Sequence, residues 1–234
     1  YKLEINPENA NQYRFDGEWR ELEVRAAPIE VKLFGPLRWT FKREVLWSVH
    51  GPVVRAPGGT FALRFAGFGE TRHIEQWYRM NRARNFEEWQ SAMRLQAIPM
   101  FNTAYADRGA NIYYLYNARL PARPPGYNWQ SRLPGNTSAT LWQGYVPFEK
   151  LPQVRNPAAG FVQNCNSSPF FTTIGNDNPS LRGARELGIE TYMTNRALRA
   201  LELFGGEAAL TAEQFKAFKF DMTYSPFSTM AQLL

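Results

Sequence analysis

The chain has 234 residues, 44% hydrophobic and 21% charged, a globular composition long enough to bury a full core as one or two domains. Its net charge of +6 is scattered among acids, and with no basic run or reading motif the pattern excludes an evident nucleic-acid interface. A single cysteine excludes an intrachain disulfide framework, two histidines supply no pair at metal-ligand spacing, and no window has the apolar length of a membrane span.

The opening residues alternate with a period of two. Tyr1 to Ile5 reads as a strand broken by Asn6-Pro7-Glu8-Asn9. Tyr13 to Phe15 leads into Asp16-Gly17, a strong hairpin-turn pair. Leu22, Val24 and Ala26 continue the alternation, as do Ile29, Val31 and Leu33, and then Trp39, Phe41, Val45, Trp47 and Val49 before His50-Gly51-Pro52. Gly58-Gly59 turns the chain into Phe61, Leu63 and Phe65, so this first part predicts an antiparallel meander.

The period then changes to that of a helix at Ile74, Trp77, Tyr78 and Asn81. Asn85 with Glu88 three residues on predicts the start of a second helix, whose apolar face is Phe86, Trp89 and Met93. Asn102 to Ala106 and Ile112 to Tyr116 form the clearest hairpin, around a glycine-containing loop. Residues 120–155 are proline-rich and aperiodic, a surface excursion of a length that favours a functional use.

Beyond it lies Phe161-Val162-Gln163-Asn164-Cys165-Asn166-Ser167-Ser168-Pro169. As an extended strand it would point Asn164 and Asn166 to one face and Cys165 to the other; as turn residues before a proline the same letters need no functional explanation. A helix follows from Met193 through Leu203 to Gly205-Gly206, and Thr211 with Gln214 predicts a capping box for another. The order of strands and helices gives an α+β fold, antiparallel and β-rich with short covering helices.

The usual catalytic groups are missing from this pattern. Asp177 between Asn176 and Asn178 is a conceivable hard-cation ligand but supplies one carboxylate. Ser48 and Ser138 carry neither an elbow motif nor an ordered acid and base, and Cys165 reads as a small buried hydrophobe. The chain opens on Tyr1 and closes on the apolar Met230-Ala231-Gln232-Leu233-Leu234, from which we expect a piece of a larger polypeptide. A ligand-binding or structural module without catalysis is the alternative that the aromatic content of 15% keeps open.

Four stretches in order nonetheless resemble one family: Tyr13-Arg14-Phe15-Asp16-Gly17-Glu18-Trp19, Ser48-Val49-His50-Gly51-Pro52-Val53, Asn102-Thr103-Ala104-Tyr105-Ala106-Asp107, and Phe161 to Ser168. They are similar to the large chain of the penicillin acylases, N-terminal nucleophile hydrolases, particularly the aculeacin and acyl-homoserine-lactone acylase branch. The resemblance implies part of a four-layer αββα fold, with residues 1–234 a single fragment of the large-chain domain truncated at both ends. It implies an amidohydrolase acting on an apolar acyl group of penicillin, acyl-homoserine-lactone or lipopeptide type. The nucleophile, a serine at the mature amino terminus, would lie outside this chain, and the fragment alone would be inactive.

On the same resemblance Asn166 would stabilise the oxyanion, Asn164 would brace it, and Arg196, in preference to Arg185, would orient it. Asp177 would match a calcium ligand of some members. The family implies no other cofactor, a periplasmic or secreted location, and as partners the absent part of the large chain and the small chain.

Overall fold

Residues 1–206, 209–231 and 233 are described by the computed structural model, apart from the side chains at 117 and 185. The expectation for the apolar tail at 230–234 therefore falls partly outside the described residues, and that for the Arg185 side chain wholly so. The chain divides into two compact units, residues 1–68 with 122–144, and residues 69–121 with 145–234.

In the first unit the alternating segments become β1 (Lys2–Leu3), β2 (Gln12–Phe15), β3 (Glu18–Glu21), β4 (Glu23–Ala26), β5 (Ile29–Phe34), β6 (Leu37–Phe41), β7 (Glu44–Ser48), β8 (Gly51–Ala56) and β9 (Gly59–Ala62). Five of them form an antiparallel sheet in the order β1-β9-β8-β7-β4, while β2-β3 and β5-β6 are separate hairpins. Asp16 and Gly17 both adopt positive φ, +51° and +87°, the geometry a two-residue turn needs to match strand twist. Leu3, Tyr13, Phe15, Leu22, Leu46, Val53 and Ala62 build the core.

The sequence ends a strand at His50-Gly51-Pro52, whereas the structure starts β8 at Gly51. Pro52 fits a strand because only its carbonyl is needed: it accepts the Leu63 N–H at 2.8 Å. Gly51 has φ +133°, and a Cβ there would lie 2.2 Å from the Leu63 carbonyl oxygen, so no larger residue fits. The expected strand through Phe65 stops at Ala62.

The second unit begins with α1 (His73–Arg82) and α2 (Phe86–Met93), followed by β10 (Phe101–Ala106), β11 (Ile112–Asn117) and β12 (Gln153–Arg155), an antiparallel sheet in that order. Asn85 caps α2 by accepting the Glu88 N–H at 2.8 Å, and Phe86, Trp89 and Met93 pack with Tyr113 and Leu115 of β11 in one core. Gln76, fully buried on α1, accepts from the Ala97 and Ile98 N–H groups at 2.7 and 3.2 Å, tying that helix to the chain entering β10.

Three further α-helices among the described residues belong to the unit: α3 (Ala184–Leu187), α4 (Asn195–Gly205) and α5 (Ala212–Lys219). Thr194 caps α4, and Thr211 with Gln214 closes both halves of the capping box on α5. The described residues are thus α+β, with antiparallel sheets and short helices, and contain no helix long and apolar enough to cross a membrane.

His50 locks the first unit internally. It is 1% exposed, stacks on Tyr1 with ring centroids 4.0 Å apart, and its Nε2 lies 3.1 Å from the Gly135 carbonyl, which makes that nitrogen the donor. Burial, which outweighs the opposing effect of the hydrogen bond to Gly135, pushes its pKa from 6.5 down to about 4. The folded unit therefore keeps His50 neutral while the unfolded chain takes up a proton near pH 6.5, so stability is lost as pH falls from about 6.5 to 4. The loss reaches roughly 3 kcal/mol at most. Urea denaturation at several pH values should show that slope and a flatter one in His50→Gln; equal slopes would contradict this account.

Candidate active site around Asn166

The site is a loop held from three sides. Residues 161–163 are laced to 171–173: the Gln163 N–H donates to the Thr172 carbonyl at 2.7 Å, Thr172 Oγ1 donates back to the Gln163 carbonyl at 2.7 Å, and Thr173 Oγ1 donates to the Phe161 carbonyl at 2.8 Å. Gln163 Nε2 adds a fourth bond, to the Phe171 carbonyl at 2.7 Å. Gln163, Thr172 and Thr173 are buried, so each of these bonds also removes a desolvation penalty.

The chain then turns instead of continuing as a strand. Asn164 Oδ1 accepts the backbone N–H of Asn166 at 3.1 Å, an Asx turn, and Asn166 sits at φ +55°. Of the two sequence readings the turn stands, and the extended one with both amides on one face is corrected: a local side-chain acceptor competes with strand pairing, and asparagine tolerates the left-handed region better than most residues.

Arg196 meets the loop from the first turn of α4. Its Nη2 donates to the Cys165 carbonyl and to Asn166 Oδ1, both at 3.1 Å. A cation is disfavoured near a helix N-terminus, so its placement there is offset by these contacts. Arginine has donors and no acceptor, which fixes the Asn166 amide: Oδ1 faces Arg196 and Nδ2 carries both hydrogens away from it. Asn166 is exposed, and its Nδ2 has no partner among the described residues.

Asn102 supports the loop from the start of β10. Its Nδ2 donates to Asn164 Oδ1 at 3.1 Å and to the Ser167 carbonyl at 3.4 Å. Its own Oδ1 is buried without a partner among the described residues. Sequence reasoning quoted Asn102 within a motif and gave it no role, because its contact with Asn164 bridges a separation of 62 residues.

Two spaces adjoin residues that form the loop or bond to it. One, of about 240 Å³, is apolar and lined by Trp77, Met80, Trp89, Met93 and Phe101, with Asn102 at its wall. Trp77 and Phe101 meet edge to face with centroids 6.4 Å apart. The other, of about 460 Å³, is lined by Cys165, Arg196 and residues of α4 and α5.

Cys165 is partly buried and burial raises its thiol pKa, which keeps it protonated and a poor nucleophile. Asp177 lies in a 3-10 turn (Gly175–Asp177), where Oδ2 accepts the Ala158 N–H at 2.7 Å. Its neighbour Asn178 accepts from the Thr172 and Thr173 N–H groups at 2.9 and 3.1 Å. Among the described residues no three His, Cys, Asp or Glu side chains gather to hold a metal ion.

Against known proteins, the penicillin amidase family model matches residues 1–234. The chain is 31% identical over 169 residues to the penicillin G acylase of Escherichia coli, covering 70% of this chain and 19% of that protein. It is 26% identical over 247 aligned positions to an acyl-homoserine lactone acylase of Pseudomonas putida, covering 92% of this chain and 31% of that protein. A crystal structure of the thermostable penicillin G acylase from Alcaligenes faecalis superposes with a TM-score of 0.75 at 23% identity, over 93% of this chain and 37% of that one. The chain thus spans about a fifth to a third of the length of these curated relatives.

The donor geometry at Asn102 has a direct consequence. Asn102→Ala should destabilise the protein by about 1–3 kcal/mol in chemical denaturation, and Asn102→Asp by at least as much, because a carboxylate cannot donate to Asn164 Oδ1 or the Ser167 carbonyl. A well-tolerated Asp would show that the amide is turned the other way.

Proposed function

This chain belongs to the penicillin amidase family of N-terminal nucleophile hydrolases, and from that premise we propose that it forms part of an enzyme cleaving the amide of an apolar acyl group, with Asn166 donating to the oxyanion. The observation that carries the reading is the hold of Arg196 on Asn166 Oδ1, which leaves Nδ2 free to donate. Attack on an amide carbonyl moves a full negative charge onto its oxygen. A donor already aimed at that oxygen needs no reorganisation as the charge develops, and one such donor is worth about a hundred- to a thousandfold in turnover.

In this reading the attacking group is a serine at a mature amino terminus, contributed by polypeptide beyond these 234 residues together with the small chain. Its Oγ bonds to the carbonyl carbon while its α-amine takes the proton. When the tetrahedral intermediate collapses, the carbon–nitrogen bond breaks and the proton passes to the departing amine, leaving an acyl-enzyme that water hydrolyses. The chain by itself is then inactive, since it supplies a charge stabiliser and no nucleophile. Arg196 and Asn164 are positioning residues: one sets which end of the Asn166 amide faces outward, the other holds its backbone. Asp177 is proposed as one ligand of a calcium site completed by other polypeptide, and a periplasmic or secreted location goes with the family.

The apolar space beside Asn102 fits the acyl group. Its walls are aromatic and thioether side chains, which desolvate a ring or an alkyl chain without demanding hydrogen bonds, and its volume of about 240 Å³ suits a small acyl group. Penicillin, acyl-homoserine-lactone and lipopeptide amides share that apolar acyl end.

Asn166→Asp tests the assignment with little change of shape. It keeps an oxygen for Arg196 and replaces the free N–H₂ by a second oxygen, so the fold should hold while kcat drops at least a hundredfold with KM nearly constant. Equal losses in kcat and in substrate binding would remove the oxyanion role. At the acyl wall, Trp77→Ala should shift the kcat/KM preference toward longer acyl chains, by about tenfold per two added methylenes, measured on a series of acyl amides. An unchanged chain-length profile would exclude that pocket.

A further inference from the structure

The β5-β6 hairpin is an arm of the first unit. It continues the β4-β7 pair through the Ala27 N–H, which donates to the Arg43 carbonyl at 2.8 Å, yet it forms a separate two-stranded sheet in which every residue of both strands is exposed. The six residues of β5 give it a length of about 20 Å. Gly35, at φ +52°, takes the first place of a two-residue turn that Pro36 completes. Ile29 lies across from Phe41 and Val31 across from Trp39 on one face, while Glu30 faces Thr40 and Lys32 faces Arg38 on the other.

A two-stranded ribbon with an uncovered apolar face is marginal in water, so the arm needs a partner to cover that face. The order of groups along it says which. The tip, Leu33-Phe34-Gly35-Pro36-Leu37, carries no charge, and Phe34 is 73% exposed. Trp39 follows at 58% exposure, and Lys42 and Arg43 stand at the base. Residues 29–43 hold four cations, Lys32, Arg38, Lys42 and Arg43, against the single acid Glu30. Glu30 takes Arg38 at 3.4 Å, and the other three cations have no carboxylate within ion-pair distance among the described residues. Lys32 and Arg38 are also a like-charge pair directly across the strands, a repulsion that nearby anions relieve. An apolar tip, then an indole, then unpaired cations is the order of a lipid leaflet read outward: hydrocarbon, interface, phosphate.

We propose that the β5-β6 arm docks on an anionic phospholipid bilayer. Phe34 and the tip enter the acyl-chain boundary, Trp39 sits at the interface, and Lys32, Lys42 and Arg43 meet lipid phosphates, the long lysine stems reaching back from the polar face. The contact is peripheral and spans nothing. It goes beyond the amidase reading and does not depend on it.

The test mixes the protein that carries this chain with phosphatidylcholine vesicles, either pure or containing about one third phosphatidylglycerol, and reads bound protein by co-flotation at low salt. The mixed vesicles should bind at least tenfold more strongly than the pure ones. Phe34→Ser should lower the partition coefficient at least tenfold while leaving the urea denaturation curve unchanged, because the side chain is exposed. Replacing Lys42 and Arg43 together by Gln should lower it at least tenfold on the mixed vesicles and leave the pure ones unaffected. Binding that is absent, or indifferent to both changes, overturns the assignment. Sedimentation velocity identifies the occupant in that case: a dimer that Phe34→Ser dissociates gives the arm to a second copy, and a monomer blind to vesicles gives it to the protein's own remaining polypeptide.

Discussion

The bonds from Arg196 Nη2 to the Cys165 carbonyl and to Asn166 Oδ1, each 3.1 Å, decide which end of one amide faces outward. An amide is nearly symmetric in shape and opposite in chemistry at its two ends, so a loop presenting Asn166 without Arg196 would present donor and acceptor alike. A guanidinium cannot accept, and that single restriction makes the outward group a donor. Under the proposed function the distinction is decisive, because an outward oxygen would repel the charge that an outward N–H₂ stabilises.

The surrounding scaffold serves to keep that geometry. Asn164 turns the backbone so that Asn166 reaches φ +55°, Asn102 fixes Asn164 from β10, and the lacing of 161–163 to 171–173 holds the loop's near side. From the far side, α4 is anchored by Arg199 to Asp221 and by the Asn195 side chain to the Ser225 N–H at 2.8 Å, which limits how far Arg196 can drift. The arrangement has a cost: Asn102 leaves its own Oδ1 buried and unbonded among the described residues. Such a group destabilises by about 1–3 kcal/mol and is retained where its other end is needed.

Most of the regular structure was legible because its signals are local. Asp16-Gly17, the hairpin around Asp107, the Asn85 cap and the Thr211–Gln214 box each depend on residues a few positions apart. Three features were not legible for the opposite reason. Asn164 and Asn166 at a spacing of two suit a strand as well as an Asx turn, and the contacts of Asn102 and Arg196 that hold the turn in place come from residues remote in sequence. The four residues Ala184–Leu187 are too few to express a helical period. The apolar space combines Trp77 and Trp89 from two helices with Phe101 from a strand, so no window of sequence contains it. Asn166 and Arg196 were named together only through family resemblance, and the structure brings them into contact across 30 residues.

The central claim is that Asn166 Nδ2 is the group an oxyanion meets. A crystal structure of the complete protein with a phosphonate mimic of the tetrahedral intermediate tests it most directly. The account predicts a phosphonyl oxygen about 2.7–3.1 Å from Asn166 Nδ2 while Arg196 still holds Oδ1. A phosphonate bound away from Asn166, or an Asn166 side chain released by Arg196 and turned with its oxygen outward, would contradict it.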